Sequence, residues 1–285
     1  MMGRLPRLSA QHVALAAAGA LYAPVLVALV RTWGTDPAWS HGFAVVAVSA
    51  WLVWRGRAAI GAARGGPGRF SLALLALGLG IYALAMWAEI DFVQPVSLLV
   101  SLTALAAHYL GWGSVRRMWF PLAFLIFAIP WPDALVDVVS FPMQLLSTTY
   151  ASIILGVLGI PVKRAGVQLA TGNYVFEVGA PCSGMRSLAA LLALAAIMAH
   201  MWPGSPMRRV ALFLAGAPIA LAANAMRIAC ILLIAANWGS RAAEGFFHGL
   251  SGILVFMLAA AGLLAAGAAL GLGQRQRVPA QTARA

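Results

Sequence analysis

The sequence predicts an all-α integral membrane protein, with a small β-hairpin outside the lipid. Three observations carry this. The chain of 285 residues is 62% hydrophobic and 9% charged, with a mean hydropathy of +0.90, against roughly 25% charge in soluble domains. Apolar stretches of about 17–25 residues, the length that crosses a bilayer, recur along it. Its nineteen Lys and Arg against seven Asp and Glu give a formal charge of +12, and the basic residues gather in short connections between apolar stretches. In a soluble protein that charge would suggest nucleic acid. In a polytopic chain the positive-inside rule explains it better, and no nucleic-acid partner is expected.

About eight spans are predicted, because lipid offers no partner for unpaired backbone groups and forces helices. They lie near 11–31, 41–55, 70–88, 94–112, 118–132, 183–202, 208–237 and 247–272. The first is too long for a signal-peptide core and lacks a convincing cleavage site, so it reads as a retained span. The second and fifth are short.

With a cytoplasmic N-terminus, alternate connections collect Arg4, Arg7, Arg55, Arg57, Arg64, Arg69, Arg116, Arg117, Arg208 and Arg209. The tail adds Arg275, Arg277 and Arg284, making thirteen of the nineteen basic residues. All seven acidic residues fall on the other side. Both termini are therefore expected in the cytoplasm.

The long connection 130–181 is expected outside. Its apolar middle, near 138–158, fits an interfacial helix or a re-entrant element. The stretch PVKRAGVQLATGNYVFEVGAP after it alternates weakly around TGN and predicts a hairpin, 162–170 against 174–179. No internal repeat is visible. The whole chain, 1–285, reads as one integral membrane domain with a short basic tail at 273–285, and no appended soluble domain is expected.

The hairpin leads into GAPCSGMRSL (179–188), which opens the sixth span. Cys182 there precedes Ser183 and Gly184. A helix N-terminus offers partial positive charge and unpaired N–H groups, which favour a thiolate and can hold an oxyanion. The plain alternative is an apolar cysteine in a membrane protein. Arg227, in the outer half of the seventh span, is costly in lipid and so marks a functional position, unless it snorkels to the headgroups. Asn224 shares its helix face. His248 opens the eighth span and can serve as acid or base near neutral pH, although an isolated histidine there is more often interfacial. Arg186, four residues after Cys182, either supports a thiolate or anchors the helix end.

A nucleophile, a cation and an acid/base group from successive spans, all on one side, are the parts acyl transfer requires. Cys230, mid-span on the face of Arg227, is expected to be packing. Two cysteines with no CxxC or Cys/His spacing predict no metal and no cofactor.

Five segments in order resemble the exosortase/archaeosortase family of multi-pass membrane cysteine transpeptidases. They are DPAWSHGF (36–43), FPLAFLIFAIPWP (120–132) with ILGVLGIPVKRAGVQL (154–169), PCSGMRSL (181–188), NAMRI (224–228) and FFHG (246–249). The resemblance covers about 35–270. It implies an enzyme of the cytoplasmic (inner) membrane, acting at its outer face on secreted proteins that carry a C-terminal sorting signal. Cys182 would form a thioester there, with His248 as base and then acid, and Arg227 would stabilise an oxyanion or orient the thiolate. An acceptor such as a glycolipid or polymer precursor, reached at the lipid surface, would release the product. His41, in the SHG stretch, could be structural, substrate-contacting or an alternative base. A rhomboid-like serine protease using Ser183 is the nearest rival, but it leaves Cys182 and Arg227 idle. A transporter with Arg227 as its anion site would carry inverted repeats, and none is seen.

Overall fold

The computed structural model describes residues 10–172, 174–179, 184–244 and 246–273, without the side chains of 10, 11, 186, 187, 244 and 246–250. Among the described residues it is helical with one small sheet, and six helices are long and apolar enough to cross a membrane. Three shorter apolar helices, Ser71–Trp87, Trp119–Ala128 and Leu188–Met201, accompany them. The chain divides into two compact units, Met1–Trp131 and Pro132–Ala285.

The first unit holds α1 (Ala10–Thr35), α2 (Gly42–Ala62), α3 (Ser71–Trp87), α4 (Val93–Arg117) and the short α5 (Trp119–Phe124). Small and polar residues let these helices approach. Tyr22 Oη lies 2.9 Å from Ser101 Oγ and 3.2 Å from Ser97 Oγ, and its ring packs 4.8 Å from that of Tyr82. The break in α4 at Gly111 falls where the sequence ends its fourth span, and the helix resumes to Arg117.

The fifth predicted span is much shorter than expected. Helix α5 passes into a single 3-10 turn, Leu125–Ala128. Ile129 is then extended (φ −85°, ψ 121°), the conformation that a following proline favours. Pro130 and Pro132 prevent the helix from continuing. Ten residues of helix reach only about 15 Å, half the hydrocarbon thickness.

The SHG stretch closes the turn between α1 and α2. Asp36 Oδ1 accepts from the Ala38 amide at 2.8 Å. The Trp33 indole donates to the Ala128 carbonyl at 2.8 Å and fills the space that a Cβ on Gly42 would need. His41 Nε2 donates to the Phe127 carbonyl at 3.1 Å. Burial lowers the pKa of His41, with the carbonyls of Phe127 and Ala38 pulling the other way. Of the three roles open to it from sequence, this geometry accounts for the structural one: a ring pinning the 3-10 turn to the start of α2.

The second unit is built around α8 (Pro206–Trp238), with α6 (Asp133–Val157), α7 (Met185–Met201), α9 (Ser240–Glu244), α10 (Phe246–Ala269) and the sheet. The apolar middle of the long connection belongs to α6, which starts straight after Pro132 with Asp133 in its first turn, where the helix dipole favours an acid. At 25 residues it is long and apolar enough to cross.

The predicted hairpin is a three-stranded antiparallel meander, β1 (Lys163–Ala165), β2 (Gln168–Thr171) and β3 (Tyr174–Glu177). The expected first arm folds on itself: Ala165 pairs with Gln168 across a turn at Gly166, whose φ is +61°. The one turn expected from sequence is the second of the sheet, with Thr171 opposite Tyr174. The buried side of the meander, Leu169, Phe176 and Val178, packs with Leu155 of α6 and with Ile228 and Leu232 of α8.

Candidate active site

Cys182 and Ser183 lie outside the described residues, as do the side chains of Arg186 and His248. What the structure defines is the frame that carries them. Helix α7 begins at Met185, with Gly184 as its N-cap. Cys182 precedes that cap by two residues in the sequence. Arg186 occupies the first turn, as expected.

Gly184 has φ +86°, a left-handed conformation that side chains resist. It is also crowded. A Cβ there would lie 3.1 Å from Asn224 Cγ, 3.2 Å from its Cβ and 3.3 Å from its Nδ2. The residue two places after the candidate nucleophile thus rests directly on the Asn224 side chain.

Asn224 is 1% exposed and donates from Nδ2 to Ser147 Oγ of α6 at 3.0 Å. One turn along α8, half-buried Arg227 donates from Nε to Ser251 Oγ of α10, also at 3.0 Å. His248 stands three residues before Ser251 in the same helix. Among the described residues, then, α8 links the cap of α7 through Asn224 to α10 through Arg227. The cap of α7, Arg227 and the helix that holds His248 in sequence meet around one turn of α8.

The sequence reading missed two members of this frame, Ser147 and Ser251. Cys230 departs from expectation as well. It is exposed on α8 while its neighbours Ala229 and Ile231 are buried, so it does not pack in the core.

Six helices long and apolar enough to cross a membrane, among the described residues, define a multi-pass membrane protein. Residues 33–265 match the family model described as transmembrane exosortase. The chain belongs to the transmembrane exosortase family. It matches no curated protein and no solved structure.

Proposed function

We propose that this exosortase is a cysteine transpeptidase that cleaves the C-terminal sorting signal of secreted proteins at the outer face of the cytoplasmic membrane. The observation that carries the reading is the polar frame on α8, where Asn224 meets the cap after Cys182 and Arg227 meets α10 three residues from His248.

His248 takes the proton of the Cys182 thiol, the thiolate attacks the scissile carbonyl carbon, and the carbonyl oxygen takes up negative charge. Arg227 stabilises that oxyanion. The C–N bond then breaks as His248 gives its proton to the departing amine, leaving an acyl thioester on Cys182. An acceptor hydroxyl or amine, on a glycolipid or polymer precursor, loses its proton to His248 and attacks the thioester. The thiolate leaves and the cycle closes. Water in place of the acceptor gives hydrolysis.

The proposed topology has eight crossings with both termini in the cytoplasm. Between Arg117 and Lys163 one net crossing satisfies the arginine pattern, made either by the segment containing α5 or by α6. Two crossings there would put the meander on the side of Arg116 and Arg117.

The depth of Arg227 follows from helix length. The 33 residues of α8 extend about 50 Å, well beyond a hydrocarbon layer of about 30 Å. With Arg208 and Arg209 held at the cytoplasmic headgroups, about 20 residues complete the crossing, so hydrocarbon ends near Ile228. The remainder of α8 carries the part of the core shared with the meander. On this reading the Arg227 charge lies at the outer boundary, where insertion is far less costly than at mid-bilayer.

The test is a pair of variants in cells that express a substrate with a sorting signal. Cys182→Ala abolishes processing, and Ser183→Ala retains at least a tenth of it, roughly. Full processing by Cys182→Ala, with loss in Ser183→Ala, would instead assign a serine protease. Anion transport that survives Cys182→Ala, with no processed protein formed by either the variant or the native chain, would assign a transporter.

A further inference from the structure

We propose that Ser147 and Thr148 of α6 form a positioning brace that fixes both ends of the segment bearing Cys182. The inference rests on the cysteine transpeptidase reading and adds residues that the motifs around Cys182, Arg227 and His248 do not contain.

The segment 180–183 is bounded by the end of the meander on one side and by Gly184 on the other. Both boundaries trace back to the same turn of α6. On the C-terminal side, Ser147 Oγ accepts from Asn224 Nδ2 at 3.0 Å, and Asn224 is the wall against which Gly184 lies. On the N-terminal side, Thr148 Oγ1 shares its proton between the Leu145 carbonyl of its own helix at 3.0 Å and the Gly166 carbonyl at 3.3 Å, in the turn joining β1 to β2. Val178, which follows β3, donates its amide to the Val167 carbonyl of that turn at 3.1 Å. The turn held by Thr148 therefore also holds the chain where it leaves the sheet for Cys182.

Burial makes the brace stiff. Ser147 and Thr148 are 0% exposed and Asn224 is 1% exposed. A buried amide without a partner is penalised, so Asn224 keeps the orientation in which Ser147 satisfies it. Removing the Ser147 hydroxyl deprives the buried Asn224 Nδ2 of this acceptor, and the wall behind Gly184 shifts. Displacement of a reacting group by about 1 Å from remote changes can lower a rate by about a hundredfold. Neither hydroxyl is assigned contact with substrate; both act through the backbone they hold.

Ser140 supplies the control. It is a buried serine of the same helix, 4% exposed, whose hydroxyl has no hydrogen-bond partner among the described residues. Removing it takes away a buried hydroxyl without releasing anything.

The experiment uses the full chain in lipid nanodiscs with a synthetic sorting-signal substrate. Four quantities are read: kcat, KM, the pH profile of iodoacetamide alkylation on the Cys182 peptide, and the thermal midpoint. Ser147→Ala and Thr148→Val are each expected to lower kcat about tenfold with KM within about twofold, and to move the alkylation profile to higher pH. Ser140→Ala leaves both at the native values.

Native kcat and a native alkylation profile in folded Ser147→Ala and Thr148→Val overturn the brace. So does an equal loss in Ser140→Ala, which would mark general loosening of α6. Undiminished processing by Cys182→Ala defeats the underlying cysteine reading instead, whatever the brace variants do.

Discussion

Replacing Arg227 by alanine lowers kcat by about a hundred- to a thousandfold, the range seen when one preorganised oxyanion donor is removed. The expectation comes from how the guanidinium is held. Its Nε is committed to Ser251 Oγ at 3.0 Å, which orients the group; in the proposed mechanism its two terminal nitrogens face the charge that develops on the substrate. Lysine keeps the charge but not the planar fork, so Arg227→Lys recovers only a small part of the activity. Ser251→Ala falls between the native enzyme and Arg227→Ala, because the cation stays while its orientation is released. Single-turnover cleavage of a sorting-signal peptide in nanodiscs separates these from effects on substrate binding. Arg227→Ala within threefold of native kcat would leave Arg227 as a headgroup anchor.

Gly184→Ala is the second large effect. Two independent penalties meet at this residue. A side chain at φ +86° is strained by about 1–3 kcal/mol. Its Cβ would also press on Asn224 atoms at 3.1–3.3 Å, and Asn224 is buried and bonded to Ser147, so it yields poorly. The chain then either shifts the cap of α7 or turns Asn224 away. Both displace the residue two places earlier, Cys182. Cleavage is expected to fall about a hundredfold, with a lowered thermal midpoint. Native cleavage rates in Gly184→Ala would mean that this cap does not set the geometry of the nucleophile.

The helical class and most helix positions were legible because burial in lipid demands long apolar runs, and the sequence shows them directly. The short α5 was less legible. Hydropathy continues through Ile129, but Pro130 and Pro132 end the helix, and their effect on the backbone outweighs the apolar pattern. The extra strand of the meander was hidden because Ala165-Gly166-Val167 is a weak turn signal beside the plain one at Gly172. Asn224, Arg227 and Gly184 stood out as polar, charged or conformationally special residues within or beside apolar helices. Ser147 and Ser251 did not. Serine is common in membrane helices, and the partner of Ser147 lies 77 residues away in sequence. No local spacing can announce a contact made only when α6 packs on α8. The reverse holds for His41: its motif suggested chemistry, and its bond to Phe127 gives it a structural role in the first unit.

The most direct measurement is intact-protein and peptide mass spectrometry of the enzyme quenched in acid during turnover of a sorting-signal substrate. A Cys182 thioester is expected, carrying the acyl portion N-terminal to the cleaved bond. It should be labile to hydroxylamine, lost on addition of a competent acceptor and absent in Cys182→Ala. An enzyme that turns over with no adduct, or with the acyl group on Ser183, would contradict cysteine transpeptidation by this exosortase.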